Sequence, residues 1–198
     1  MSRRRAQRSA LAAALVLFSP ASALPGDVTL EPFVGIQYGG AFHAVGSGRA
    51  SIGVGLQYGA TLDVAIGGEG WGAQAFFARQ DSELEGVPRL GVAVERYMAG
   101  VREEKGDGRF RFRGVFLLGA TRFALDGLGS DVRFTVAPGL GASVSLSPRF
   151  GLRADVRAYY AVISSAGGTA CVNYSCLYVF GGTGVWQGDL TAALEFRF

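Results

Sequence analysis

Apolar and polar residues alternate one by one along most of this chain, the period of a β-strand with one oily face and one wet face. Residues 51–66 show it most fully. Ile52, Val54, Leu56, Tyr58, Ala60, Leu62, Val64 and Ile66 fall on one parity, with Gly, Ser, Gln, Thr, Asp and Ala between them. Residues 132–146 repeat it: Val132, Phe134, Val136, Pro138, Leu140, Ala142, Val144 and Leu146 stand against Arg133, Thr135, Ala137, Gly139, Gly141, Ser143 and Ser145. Residues 185–198 set Trp186, Leu190, Ala192, Leu194, Phe196 and Phe198 against Gln187, Asp189, Thr191, Ala193, Glu195 and Arg197.

Five more segments read as strands, at 28–38, 71–80, 90–104, 109–123 and 151–163, which makes eight. In the first, Leu30, Val34, Ile36 and Tyr38 share the oily face, Phe33 is an exception, and Pro32 belongs near the start because it cannot donate to the ladder. In 71–80 the adjacent Phe76 and Phe77 leave the parity open. In 90–104 the pattern is read with Val92, Val94 and Met98 outward and Glu95 and Tyr97 inward; Arg96 has no place in it. Pro138 lies inside an otherwise regular strand and predicts a local bulge.

Three connections are short, at 67–70, 105–108 and 147–150. Four are longer, at 39–50, 81–89, 124–131 and 164–184. Alternating short turns and longer loops, with an even strand number, are the signature of a transmembrane β-barrel. No stretch of residues 24–198 approaches a spanning helix. Only a closed barrel satisfies every backbone group of strands that cross a bilayer. The expected fold is all-β: an eight-stranded antiparallel up-and-down transmembrane β-barrel. The soluble alternative is a lipocalin-like barrel with the oily parity turned inward. Its outer surface would be Gly, Ser and Thr with almost no Lys, which suits water poorly.

The first residues change the charge argument. Arg3, Arg4, Arg5 and Arg8, the apolar run 11–18 and the small residues Ala21, Ser22 and Ala23 read as a secretory signal peptide covering 1–23, leaving 24–198 as the barrel domain. The chain holds 19 Lys+Arg and 16 Asp+Glu. Four of the Arg lie in the leader, so the remainder is close to neutral and offers no electrostatic case for nucleic acid. Lys105 is the only lysine.

The wet parity carries the candidate chemistry. Glu31, Asp63, Glu95, Arg111, Arg113, Arg133, Arg153, Asp155, Arg157, Asp189, Glu195 and Arg197 are expected to point inward. An eight-stranded barrel is just wide enough for side chains to fill, and buried ions must pair. The preferred expectation is an interlocked Arg–carboxylate core that plugs the barrel, arginine's planar fork matching a carboxylate. The alternative is a narrow conducting pore. Cys171 and Cys176, separated by four residues in the last loop, are expected to form a local disulfide in an oxidising compartment. There is no zinc spacing, phosphate loop or nucleophile elbow, and no cofactor, metal or catalytic residue is expected.

Several stretches carry a family resemblance: GATLDVAI, FFARQDSEL, GATRFAL, LGSDVRFTVAPGLG, GLRADVRAYYAVI and the closing VWQGDLTAALEFRF. The sequence resembles the small eight-stranded outer-membrane barrels typified by the membrane domain of outer-membrane protein A, in a branch without an established activity. The resemblance implies a cell outer-membrane location with the long loops outside and outer-membrane lipids as neighbours. It also implies that Phe196 and Phe198 are read by the barrel-assembly machinery. A monomer is expected. The function it implies is a structural or surface-binding barrel, with a passive channel as the alternative. A further alternative is a lipid A-modifying enzyme built on His43 with Ser47, Ser130 or Asp131, by analogy with acyl-modifying barrels.

Overall fold

The computed structural model describes residues 28–44, 48–68, 70–85, 91–106, 108–125, 129–162, 169–172, 175–179 and 184–198. Its strands are β1 (Val28–Gly39), β2 (Ala41–Ala44), β3 (Gly48–Ile52), β4 (Gly55–Ala65), β5 (Trp71–Glu85), β6 (Gly91–Lys105), β7 (Phe110–Leu125), β8 (Gly129–Ser145), β9 (Phe150–Val162), β10 (Thr169–Val172), β11 (Ser175–Val179) and β12 (Gly184–Arg197). Eight of them close on themselves. The ring runs β1, β4, β5, β6, β7, β8, β9, β12 and back to β1, every pair antiparallel. The other four make two small hairpins, β2–β3 and β10–β11. The expected eight-stranded antiparallel barrel is the observed one.

Pro32 and Pro138 sit in the ladder without shifting it. The register of β8 with β9 passes from Val136↔Tyr160 to Gly139↔Arg157 at a constant offset, so the expected bulge at Pro138 is absent. The pairing simply lapses at Ala137 and Pro138, where the missing N–H has nothing to donate. β1 treats Pro32 the same way, its pairing with β12 lapsing between Leu30 and Phe33. The long run 51–66 is broken instead. Ser51 and Ile52 belong to β3 and pair with the end of β5, and β4 begins at Gly55. Gly53 makes the break: its amide donates to the Glu83 carbonyl (3.1 Å), and its own carbonyl accepts from Gln80 Nε2 (3.3 Å) and Ser82 Oγ (2.9 Å). Two expected loops are largely strand, since β5 runs on to Glu85 and β7 and β8 continue to Leu125 and from Gly129.

At the opposite end the turns are tight. Gly70 has φ +82°, and a Cβ there would lie 2.0 Å from the Glu104 carbonyl oxygen. No other residue type fits that crossing of the first and second turns.

The outer wall is apolar. Val34, Leu56, Tyr58, Phe110, Phe112, Phe116, Phe134, Leu140, Leu152, Leu190 and Leu194 are all exposed, Leu56 at 75 % and Leu140 at 67 %. The inner parity is polar, which excludes the lipocalin arrangement. β6 departs from the expectation. Val92, Val94, Arg96 and Met98 are buried inside the barrel, while Tyr97 is half exposed on the outer wall. Its parity is the reverse of the one read from the sequence. The reason is visible in the neighbours: Val94 and Met98 fill apolar levels of the interior, and Glu95, displaced to the outer wall, lies between Arg79 of β5 and Arg122 of β7.

A spin label at Tyr97 in lipid-reconstituted protein should be reached by lipid-soluble oxygen, and one at Met98 should be shielded from it. The opposite ranking would restore the parity read from the sequence.

Candidate functional site

Along β1, β9 and β12 the inward positions start charged at the turn end and reach Gln or Tyr farther toward the loop end. β1 places Glu31, Phe33, Gly35 and Gln37 inward; β9 places Arg153, Asp155, Arg157 and Tyr159; β12 places Glu195, Ala193, Thr191, Asp189 and Gln187. The barrel stacks these into levels.

The lowest level is ionic. Arg111 donates to Glu104 (2.6 Å) and Glu195 (3.0 Å), and Glu195 also takes Arg197. Arg197 donates in turn to Ser145 Oγ (3.2 Å). Just above, Arg113 forks between Asp63 (2.8 Å) and Glu31 (3.1 Å). Arg153 closes on Glu31 and donates through Nε to Asp155 (2.8 Å). Arg102 (3.4 Å) and Gln74 (3.0 Å) complete the shell of Asp63. Glu31, Asp63, Arg113, Arg153 and Asp155 are all buried. In a ring of eight, β7 stands diametrically opposite β1, so the Arg113–Glu31 pair spans the lumen.

The next level is an apolar septum. Phe33 stacks on Phe76 (centroids 5.4 Å, 7° between planes). Met98, Val115, Leu117, Ala137 and Ala193 pack around them. Arg157 caps the pair from the side, its guanidinium carbon 4.8 Å from the Phe76 centroid, a cation–π geometry. It bonds at the same time to Asp155 (3.0 Å) and Thr191 Oγ1 (3.2 Å).

Above the septum lies a second polar level. Asp189 accepts from Gln57 Nε2 (2.5 Å) and the Tyr159 hydroxyl (2.5 Å). Arg96, fully buried, donates to Gln37 Oε1 (2.7 Å) and Gln187 Oε1 (2.6 Å) and lies 4.2 Å over the Tyr159 ring. β6 and β12 are also diametrically opposite, so Arg96 spans the lumen a second time. Val92, Val94, Phe123, Ile52 and Val185 are buried beyond it toward the loop end.

Of the residues singled out from the sequence, eleven sit on the inner parity: Glu31, Asp63, Arg111, Arg113, Arg133, Arg153, Asp155, Arg157, Asp189, Glu195 and Arg197. Arg133 stands apart from the rest, near the loop end, paired with Asp131 (2.6 Å). Glu95 is the exception, on the outer wall. The sequence reading missed Arg96 and the glutamines that hold it. For the glutamines a signal was available, since Gln37 and Gln57 share the parity of Glu31 and Asp63; Arg96 had none, because the parity it shares with Val92, Val94 and Met98 reads as outward.

Phe198 is exposed on the outer wall, and Phe196 makes an edge contact with Phe150 (5.5 Å). Cys171 and Cys176 are register partners across β10 and β11; their side chains lie outside the described residues. So do Ser47 and the side chain of His43. Ser130 is exposed and Asp131 is engaged by Arg133. No group of metal-ligating side chains occurs among the described residues.

The architecture is that of the small eight-stranded outer-membrane barrels. Neisserial surface protein A superposes with a TM-score of 0.64 at 15 % identity, over 87 % of this chain and 97 % of that one. The N-terminal barrel domain of Pseudomonas aeruginosa OprF (TM-score 0.48, 10 % identity, 87 % and 100 % covered) and the attachment invasion locus protein Ail of Yersinia pestis (0.43, 16 %, 88 % and 100 %) match more loosely. No protein-family model matches the chain, and no curated protein does.

Replacing Arg113 with Met would strand Glu31 and Asp63 with fewer partners in a buried site. Breaking a buried pair in this way costs about 3–5 kcal/mol. Chemical unfolding of refolded protein should show that loss for Arg113→Met and a clearly smaller one for Arg122→Met on the outer wall. Equal effects would mean that the interior network contributes nothing special.

Proposed function

We propose that the chain is an integral outer-membrane barrel with a closed interior, serving a structural or surface-binding role through its loop end. The observation that carries the reading is the septum of Phe33, Phe76, Met98, Val115 and Leu117 between two levels that arginines bridge from wall to wall. An ion crossing there would have to shed water against apolar side chains, and a dry apolar constriction opposes conduction. The apolar outer wall supports the membrane setting. Each large side chain it carries is worth about 1.5–3 kcal/mol when taken from water. Short turns at the end that holds Val28 and Phe198 support placing that end in the periplasm, with β2–β3 and β10–β11 outside.

The catalytic alternative lacks support from the described residues: Asp131 is committed to Arg133, and nothing described joins it to Ser130 as an acid–base pair. In the last loop, opposite cross-strand residues have Cα atoms about 4.5–5.5 Å apart, within the span of a disulfide. The pairing of Cys171 with Cys176 therefore supports a bridge that pins the β10–β11 hairpin.

Planar-bilayer recordings should show no conductance steps for the refolded protein. Phe33→Ser with Phe76→Ser, which removes the stacked pair, should raise leak through the same bilayer. Regular steps from the unaltered protein would favour the channel.

Reduction, or replacement of both cysteines by Ser, should expose the last loop to protease while the barrel keeps its resistance to unfolding. A closed loop of this length contributes at most about 2–3 kcal/mol. Two free thiols in protein taken from the envelope under alkylating conditions would refute the bridge.

A further inference from the structure

The outer wall carries a group of charges that balances itself. Arg79 on β5, Glu95 on β6 and Arg122 on β7 are cross-strand neighbours. Arg79 forks onto Asp81 (2.8 Å), and Glu95 accepts from Arg79 and Arg122 (3.0 Å each). Two cations thus meet two carboxylates, and the group is neutral. Its two ends differ. Asp81, at the β5 end, is more than half exposed and keeps acceptor capacity beside Arg79. Arg122, at the β7 end, is 45 % exposed and bonds Glu95 through Nη1 alone among the described residues.

The two ends lie at nearly one height. Asp81 shares a register line with Ala93 and Ala124, two residues loopward of Arg122. A register line followed from Tyr38 through β12, β9 and on to β4 returns to β1 at Val28. It therefore climbs from β5 to β7, and that climb offsets the two residues. A surface with an acid on one side and a base level with it on the other is complementary to itself after half a turn. A two-fold axis along the membrane normal through Glu95 sets Asp81 of one copy opposite Arg122 of a second, and the reverse, an isologous contact.

Below the charges, toward the turn end, the wall is hollowed. A groove of about 570 Å³ is floored by Ala60, Ala75 and Ala99 and flanked by Phe77, Tyr97 and Leu118. The lean of the strands carries the axis from Glu95 down past Phe77 to Ala60. Small side chains there let two walls approach closely, the packing that drives association within lipid. Phe77, 37 % exposed, is the projection that enters the facing groove. Pairing also turns charges that face lipid in a single barrel toward protein, where intramembrane charges are usually found.

We infer that, in place of the monomer expected from the sequence, two copies of this chain pair through the β5–β7 wall, with Asp81 of each against Arg122 of the other and Phe77 in the alanine groove. The inference rests on the membrane reading proposed above, which holds both copies upright in one bilayer.

The test reconstitutes the full chain in excess phosphatidylcholine, half carrying a donor and half an acceptor fluorophore at Lys105, its only lysine. Insertion is scored first by protease protection, so failure to insert refutes the membrane reading and not the pairing, and only protected protein is compared. Energy transfer should exceed that of random proximity and fall when unlabelled protein is added. Asp81→Arg alone and Arg122→Asp alone set like charges opposite each other at both contacts. Each should raise the dissociation constant about tenfold or more. An equal mixture of the two variants sets an acid opposite a base at both contacts again and should recover the transfer, which a folding fault in either chain would not do. Asp81→Asn, which removes a charge without reversing it, should weaken pairing less than Asp81→Arg. Ala75→Phe, which fills the groove, and Phe77→Ala, which removes its occupant, should each lower transfer with every charge in place. Transfer at the random level in inserted protein, transfer unchanged in a charge-reversal or groove variant, or no recovery in the mixture would overturn the dimer.

Discussion

Eight strands leave a lumen that side chains must fill, and in this barrel the filling is charged. Arg113 on β7 reaches Glu31 on the opposite wall and Asp63 beside it, and Arg153 closes on the same Glu31. The rest of the structure depends on that contact. A carboxylate in a dry interior is tolerable only with its partners in place. The partners come from strands far apart in sequence, so they exist only when the ring has closed in one register. A slip of one residue would turn every inward ion out to the apolar wall. The network is thus better understood as a register device than as a source of net stability, since buried ion pairs often do no better than apolar packing.

The septum and the outer wall follow from the same constraint. A lumen filled by ions alone would need a partner for each at every level. Phe33, Phe76, Met98, Val115 and Leu117 fill one level without that demand, and Arg157 links it to the ions by lying against the Phe76 ring. Arg96 repeats the cross-lumen span above, held by amides and an aromatic face rather than a carboxylate. Three kinds of filling thus close one tube. Away from the strand ends, where Asp81, Glu83, Glu103 and Lys105 lie, the outside stays apolar except at Arg79, Glu95 and Arg122, where a wall position tolerates charge because its neighbours neutralise it.

The strand count and closure were legible in the sequence because period-two alternation is a property of single residues. The inner position of Asp63, Arg113 or Asp189 was legible for the same reason. Phe33 was visible only as an exception, because an apolar residue on a wet parity has no meaning until Phe76 is placed beside it. β6 was misread for a related reason. Val92, Val94 and Met98 resemble an outer face when taken alone, and only Arg79 and Arg122 on neighbouring strands explain why Glu95 lies outside. Arg96 needed Gln37 and Gln187, which lie 59 and 91 residues away. Pairwise relations across the lumen leave no mark on local pattern.

The central claim is that charges on separate strands are coupled through the lumen. A double-mutant cycle on Glu31→Gln and Arg153→Met, read by reversible unfolding in lipid or detergent, measures that coupling free of each residue's other contacts. The account predicts a coupling energy of at least about 1.5 kcal/mol, within the range for residues sharing one ionic network. Additive losses, with coupling near zero, would contradict it.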